Sequence, residues 1–154
     1  MNKELQDLAR RAVACPAFRP MVGMVGMDGT VILSVGPLVE TSEIVEWRDG
    51  GTIRRDYCEA TWPVLRASGW RPDFDQPATR GCLLALVREA LGEPLANVEV
   101  RQLGNGWRAV LRVPAGSEGW RGVWWQWWRA SRCPATAEAC VLVTALEAWS
   151  RGEL

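Results

Sequence analysis

Histidine is absent from the 154 residues, lysine occurs only at Lys3 and tyrosine only at Tyr57. Without an imidazole, none of Ser34, Ser42, Ser68, Ser117 or the cysteines can join a histidine-based acyl-transfer triad. Zinc loses one of its two usual ligand types. The five cysteines, Cys15, Cys58, Cys82, Cys133 and Cys140, are odd in number and form no Cys-x-x-Cys pair, which predicts reduced thiols in a cytoplasm and not a metal cluster or disulfide framework. No apolar run approaches the roughly 18 residues that cross a bilayer. The N-terminus reads as a charged amphipathic helix and not as a signal peptide. Net charge is also missing: 18 basic and 18 acidic residues cancel, which favours neither a general polyanion binder nor an acidic nucleic-acid mimic. Because Lys3 is the only lysine, the other 17 basic residues are arginines, in keeping with a GC-rich coding bias.

Several weaker motifs dissolve on inspection. Gly23, Gly26 and Gly29 are evenly spaced and lack the Lys-Ser/Thr of a phosphate-binding loop. Asp73 and Asp75 form an Asp-x-Asp that suits Mg²⁺, yet Asp75 is already explained as a helix N-cap. Cys133, next to Arg132, has the neighbour that would activate a thiol, but Pro134 and the start of a helix make it structural. The sequence therefore predicts no catalytic residue, metal site or cofactor, and no enzyme.

What is present is strong periodicity. Leu5, Leu8, Ala9, Ala12 and Val13 mark one stripe of a helix from Asn2 to Ala14, ended by Pro16. Met21 to Met27 and Thr30 to Val35 read as strands joined at Asp28-Gly29, with Gly23 and Gly26 allowing a bulge or a close backbone approach. Glu43 to Trp47 and Thr52 to Asp56 form a second pair. The segment from Tyr57 to Phe74 has no clean period, and its Tyr57, Trp62, Trp70 and Phe74 suggest an aromatic-anchored cover over the sheet, or else a loop closing a small-molecule pocket. The most sharply delimited stretch is Asp73 to Pro94. It is a helix with Asp75 as N-cap, Pro77 in the first turn, Gly92 and Pro94 at the end, and a broad apolar face of Cys82, Leu83, Leu86, Val87, Ala90 and Leu91 that predicts a covering sheet.

Beyond it, Asn97 to Gln102 and Trp107 to Val113 form a hairpin. Trp107, Ala109, Leu111 and Val113 lie on one face, with Arg108, Val110 and Arg112 on the other. Thr136 is expected to cap a last helix with a buried stripe of Ala139, Leu142, Val143, Leu146 and Trp149. The order of helix, four strands, helix, three strands, helix predicts one α+β domain over 1–154, with an antiparallel sheet and about three helices.

The third of those later strands is the unusual feature. It carries Trp120, Arg121, Trp124, Trp125, Trp127, Trp128 and Arg129, and a strand sends Trp125 and Trp127 to one side and Trp124 and Trp128 to the other. A single sheet with one wet face cannot hide both sets, so these residues are read as partner-binding, either to another protein or to a second copy. Packing within the chain is the competing explanation. From Arg101 to Arg132 the only acid is Glu118, whereas Asp28 to Glu59 is rich in acids. A nucleic-acid site using Arg108, Arg112, Arg121 and Arg129 with the stacking indoles is therefore the alternative.

The run Asp75, Pro77, Ala78, Thr79, Gly81, Cys82, Leu83, Leu84, Ala85, Leu86, Val87, Arg88, Glu89, Ala90 resembles a segment of small uncharacterised bacteriophage and prophage proteins. In those proteins a Gly-Trp-Arg-Val strand pair follows, matched here by Gly106, Trp107, Arg108, Ala109 and Val110, and then a closing helix matched by Glu138 to Ala148. The resemblance covers about the second half of the chain and carries over no catalytic or binding residue; the Trp-rich stretch departs from it. Taken with the lack of catalytic groups, the aromatic run and the lack of a membrane-length apolar run, the resemblance leads to the expectation of an accessory protein in the cytoplasm of a bacterial host cell, acting by macromolecular binding as an inhibitor of a host defence or transcription complex, with no membrane partner.

Overall fold

Eleven positions of the last helix are buried, on every side of it, from Ala135 to Ala148, and the fold is arranged around that rod. The computed structural model describes residues 2–46, 53–113, 131 and 133–153. Among them the order is α1 (Lys3–Ala14), β1 (Thr30–Val35), β2 (Val39–Glu46), β3 (Ile53–Ala60), α2 (Trp62–Ala67), α3 (Pro77–Leu91), β4 (Asn97–Leu103), β5 (Gly106–Arg112) and α4 (Pro134–Ser150). The strands form two antiparallel sheets, β1-β2-β3 and β4-β5. The protein is thus α+β, with the short α2 added to the three helices expected. Among the described residues no helix is long and apolar enough to cross a membrane.

α4 consists largely of alanine, valine and leucine. A helix apolar on every side has to be enclosed, because leaving any face wet forfeits about 25 cal/mol per Å² of apolar surface. α1 and α3 pack on it, and so do β4 and β5. This corrects one expectation: the apolar face of α3 is covered chiefly by α4 and not by a sheet. The buried stripe expected of α4 includes Trp149, but that residue lies near the helix end and is 41% exposed. Ala139, Leu142, Val143 and Leu146 are buried as expected.

α1 buries the five residues of its stripe, Leu5, Leu8, Ala9, Ala12 and Val13. Asn2 caps it by accepting the Glu4 N–H on Oδ1 at 3.0 Å. At the other end Arg66 of α2 donates from Nε and Nη2 to the Val13 carbonyl, at 2.9 and 2.6 Å. α3 has Pro77 at its start and ends at Gly92, whose φ of 67° is left-handed, the conformation glycine adopts without strain. Its N-cap is Gln76, not Asp75, and no side chain caps it. The Asp73 carboxylate instead accepts from the Asp75 N–H at 3.0 Å and the Gln76 side-chain amide at 3.2 Å. Thr136 is likewise no cap: Cys133 holds that position, and Thr136 is buried inside α4.

Met21 to Met27 does not form the expected strand. Only Val25 and Gly26 bridge, to Val31 and to Pro72. The chain still reverses at Asp28-Gly29: the Gly26 N–H donates to the Thr30 carbonyl at 2.7 Å and the Gly29 N–H to the Gly26 carbonyl at 3.0 Å. Gly29, at φ 84°, takes the left-handed position such a turn needs. A Cβ on Gly26 would lie 2.5 Å from both Asp28 Oδ1 and Trp70 Nε1, so the close approach read from the sequence is there. The aromatic cover is also real for three of its four members. Trp70 and Phe74 are buried, and Trp62 packs on Phe18 with centroids 5.8 Å apart and edge-on to Trp70 at 6.1 Å. Tyr57 belongs to β3 and is exposed. β2 and β3 each extend further than expected, toward Val39 and Ala60. Trp47 and the Arg48 to Gly51 turn lie outside the described residues.

Candidate functional site

β4 and β5 form a hairpin in which Val98 lies opposite Leu111, Val100 opposite Ala109 and Gln102 opposite Trp107. Ala109 and Leu111 are buried and Val98, Val100 and Trp107 pack on the same core, so this face lies on α4, as the alternation predicts. The other face carries Glu99 opposite Val110, Arg101 opposite Arg108, and Arg112 opposite Asn97. Three guanidiniums therefore share a narrow ridge with one carboxylate. Glu99 serves two of them: Oε2 pairs with Arg112 Nη2 at 2.5 Å, and Oε1 pairs with Arg101. Arg108 and Arg112 are held by further contacts. Arg101 is the more open of the two partners of Glu99, at 67% side-chain exposure against 42% for Arg112. Placing Arg101 directly across from Arg108 costs stability unless a counter-charge is near, since like charges on opposed strands repel.

The chain leaves β5 through Val113 and is next described at Ser131. There the Trp107 N–H donates to the Ser131 carbonyl at 2.8 Å, an antiparallel bridge on the outer edge of β5. Ser131 Oγ then donates to the Cys133 carbonyl and accepts the Cys133 N–H, at 3.0 and 3.2 Å, leading into Pro134 and α4. The described residues on both sides of the Trp-rich run are therefore attached to one hairpin. Trp120, Arg121, Trp124, Trp125, Trp127, Trp128 and Arg129 themselves lie outside the described residues. Of the sequence-predicted arginines, Arg108 and Arg112 are brought to one ridge.

No protein-family model matches this chain, and comparison with curated proteins and with solved structures finds no match.

A second feature, invisible to the sequence reading, is a groove of about 410 Å³ between α1, α4 and β5, with Leu8, Ala109, Ala137 and Val141 among its apolar lining and Cys140 and Thr144 beside them. Arg11 and Glu147 both line it, Arg11 donating from Nε to Glu147 Oε1 at 3.0 Å and from Nη2 to Glu147 Oε2 at 2.6 Å. The hydrogen bonds to Glu147 raise the Arg11 pKa further, against the desolvation that lowers it. The two residues are 136 positions apart, so only the packing of α1 on α4 brings them together. The expected position for a small-molecule pocket, between the long loop and the first sheet, holds a shallow hollow of about 350 Å³ bounded by Met27, Asp28 and Ser68 to Arg71. Its polar groups serve each other, with Trp70 Nε1 donating to Thr30 Oγ1 at 2.9 Å and Thr30 Oγ1 to Asp28 Oδ1 at 2.7 Å. Among the described residues no three metal-ligating side chains converge.

Proposed function

We propose that the chain is a phage-type accessory protein that works in the cytoplasm of a bacterial host cell by binding another macromolecule, with a host defence or transcription complex as its partner. The contact surface in this reading is the arginine ridge of β4 and β5 together with the Trp/Arg run from Trp120 to Arg129. The observation that carries it is the shared anchorage: Val113 and Ser131, on either side of that run, both adjoin β5, and β5 presents Arg108 and Arg112 on its outward face beside Arg101. Arginine and tryptophan are the residue types that dominate contact energies between proteins, because each combines a large buried area with directional polar groups. The resemblance of the second half of the chain to phage and prophage proteins supplies the biological setting.

Affinity capture from bacterial lysate with the full chain tests it. The wild type recovers a specific partner, and both the Arg108→Glu/Arg112→Glu and the Trp124→Ala/Trp127→Ala variants lose it while retaining the wild-type circular dichroism spectrum. Recovery of the same proteins by all three removes the reading. The ridge also favours a second reading, a nucleic-acid site using Arg108, Arg112, Arg121 and Arg129. It predicts oligonucleotide binding that weakens steeply as salt rises, because each neutralised phosphate releases counterions.

A further inference from the structure

The chain has three asparagines, and their settings differ. Asn2 is held at both ends of its side-chain amide, donating to Thr136 Oγ1 and accepting the Glu4 N–H. Asn97 stands in β4 ahead of Val98, a β-branched residue packed against the core. Asn105 is exposed at the tip of the β4-β5 hairpin and precedes Gly106. Leu103 and Gly106 pair, so the turn between them has only two residues, Gly104 and Asn105. Gly104, at φ 58°, fills the first central position, the one that a II′ turn gives to glycine.

An asparagine side chain can be attacked by the backbone nitrogen of the residue that follows it, closing a five-membered succinimide; asparagine is among the thermolabile residues. A Cβ on the following residue crowds that ring closure, and glycine has none. At Asn105 the Gly106 nitrogen loses its proton to hydroxide and bonds to Cγ. The Cγ–Nδ2 bond breaks, and the nitrogen takes a proton from water and leaves as ammonia, which regenerates hydroxide. Water then opens the ring. Attack at Cγ gives an aspartate in the ordinary chain, and attack at the main-chain carbonyl gives an isoaspartyl link that runs through the side chain. In total one water enters and one ammonia departs. The Leu103–Gly106 pair has to part before the nitrogen can reach Cγ, and loop tips open at little cost in free energy. Asp28 also precedes a glycine, but its carboxylate is restrained, with Oδ1 accepting from both the N–H and the hydroxyl of Thr30.

We propose that Asn105 is a site of spontaneous covalent modification, converting through a succinimide with Gly106 to aspartyl and isoaspartyl forms. The product gains a carboxylate at the end of the hairpin where Arg101 and Arg108 oppose each other. The isoaspartyl form also adds one carbon to the main chain of a turn built for two residues. Trp107, whose N–H holds the Ser131 carbonyl, is only two positions further on. The modification needs no partner molecule, so it stands or falls independently of the function proposed above.

Trypsin cuts after arginine, so it releases Gln102 to Arg108 as one peptide and Glu89 to Arg101, which contains Asn97, as another. The full chain is incubated folded, at physiological temperature and mildly alkaline pH, then digested and analysed by mass spectrometry. The Gln102 to Arg108 peptide is expected to split into amide, aspartyl and isoaspartyl forms, at a rate that rises in proportion to hydroxide. The Asn97 peptide keeps its amide and serves as the internal control. On isoelectric focusing the intact protein gains an acidic band. Asn105→Gln loses that band, and Asn105→Asp starts at its position, both with the wild-type circular dichroism spectrum. A folded chain that keeps the Asn105 amide for as long as a synthetic Gln102 to Arg108 peptide needs to convert would overturn the proposal, because the turn then protects the site. So would an acidic band that persists in Asn105→Gln, a rate indifferent to pH, or an aspartyl product with no isoaspartyl beside it.

Discussion

The Asn2 side-chain amide donates to Thr136 Oγ1 at 3.0 Å across 134 positions of sequence, while its carbonyl oxygen caps α1. One residue therefore starts α1 and fixes it to the first turns of α4, where Thr136 is buried. Asn2→Ala removes both roles and is expected to cost about 1 to 2 kcal/mol, the cap and a partly buried hydrogen bond together. Asn2→Ser keeps the cap and loses the link, so urea denaturation should place it between alanine and wild type. Equal stability of all three would show that neither contact matters.

Two glycines predict opposite signs. At Gly26 an added methyl would meet Asp28 Oδ1 and Trp70 Nε1 at 2.5 Å and Thr30 Oγ1 at 2.7 Å, and Trp70 is buried and cannot swing away. Gly26→Ala is expected to destabilise by about 1 to 3 kcal/mol through overpacking. Gly81 lies inside α3, and a methyl added there would have nothing within 4 Å. Gly81→Ala should stabilise by about 0.5 to 1 kcal/mol, since it removes backbone freedom from the unfolded chain and strains nothing in the folded one. Thermal melts of the two variants decide both signs.

The elements that are legible in the sequence are those whose signals are local. α1 shows one clean stripe, and all five of its residues are buried. Pro77 and Gly92 bracket α3 where expected, and β5 alternates as read. The misreadings share a cause in distant partners. Met21 to Met27 has the composition of a strand, yet its hydrogen bonds are split between β1, where Gly23 and Met24 bond Ile32 and Gly26 bonds Thr30, and the distant stretch around Pro72, with the Met27 N–H donating to the Arg71 carbonyl and the Asp73 N–H to the Val25 carbonyl. Periodicity reduces α4 to a stripe because its alanines and threonines look neutral, although enclosure by α1, α3 and the β4-β5 hairpin makes them core. Asp75 is not the cap because the helix starts at Pro77, which puts Gln76 in that position, and the carboxylate that takes up the Asp75 N–H and the Gln76 amide is that of Asp73. Of the candidate site, the arginine ridge follows from period-two alternation. The Arg11–Glu147 groove needs the tertiary packing of both helices, which no local pattern encodes.

Cys82 and Cys58 should separate by reactivity. Burial pushes the Cys82 thiol pKa above its ordinary range, because the thiolate is the form that desolvation penalises. Its Sγ also donates to the Val22 carbonyl at 3.4 Å. Cys58 is exposed on β3. Iodoacetamide labelling followed by mass spectrometry should modify Cys58 first, with the Cys82 rate still climbing at alkaline pH after a free thiol would have levelled off. The same shift fixes the sign for stability: the contribution is present below the unfolded thiol pKa, about 8.5, and is lost as pH rises through the higher folded value. Cys82→Ala should therefore flatten the alkaline fall in stability; an unchanged pH profile would exclude Cys82 as its source.

Arg80 is the most connected side chain between α3 and α4. Its Nε donates to Glu138 Oε2 at 2.6 Å, and its Nη1 donates to the carbonyls of Phe74 and Asp75 at 2.8 and 3.0 Å. At 15% exposure the guanidinium is shielded well enough for these bonds to count. Hydrogen bonds to a charged group contribute about 1.5 to 3 kcal/mol each when both partners lose water, less when solvent competes. Arg80→Met keeps the aliphatic stem and is expected to lose about 2 to 3 kcal/mol by leaving Glu138 and two carbonyls unmatched. Arg80→Lys should recover only a fraction, because an ammonium on a flexible stem cannot hold a carboxylate and a pair of carbonyls in the geometry that a planar guanidinium offers. Pairing Arg80→Met with Glu138→Leu separates the salt bridge from the carbonyl contacts. If the double variant is clearly more stable than Arg80→Met alone, the stranded carboxylate accounts for most of the loss. If it is less stable by the full cost of Glu138→Leu, the two residues act independently and the loss at Arg80 lies in the Phe74 and Asp75 carbonyls just ahead of α3.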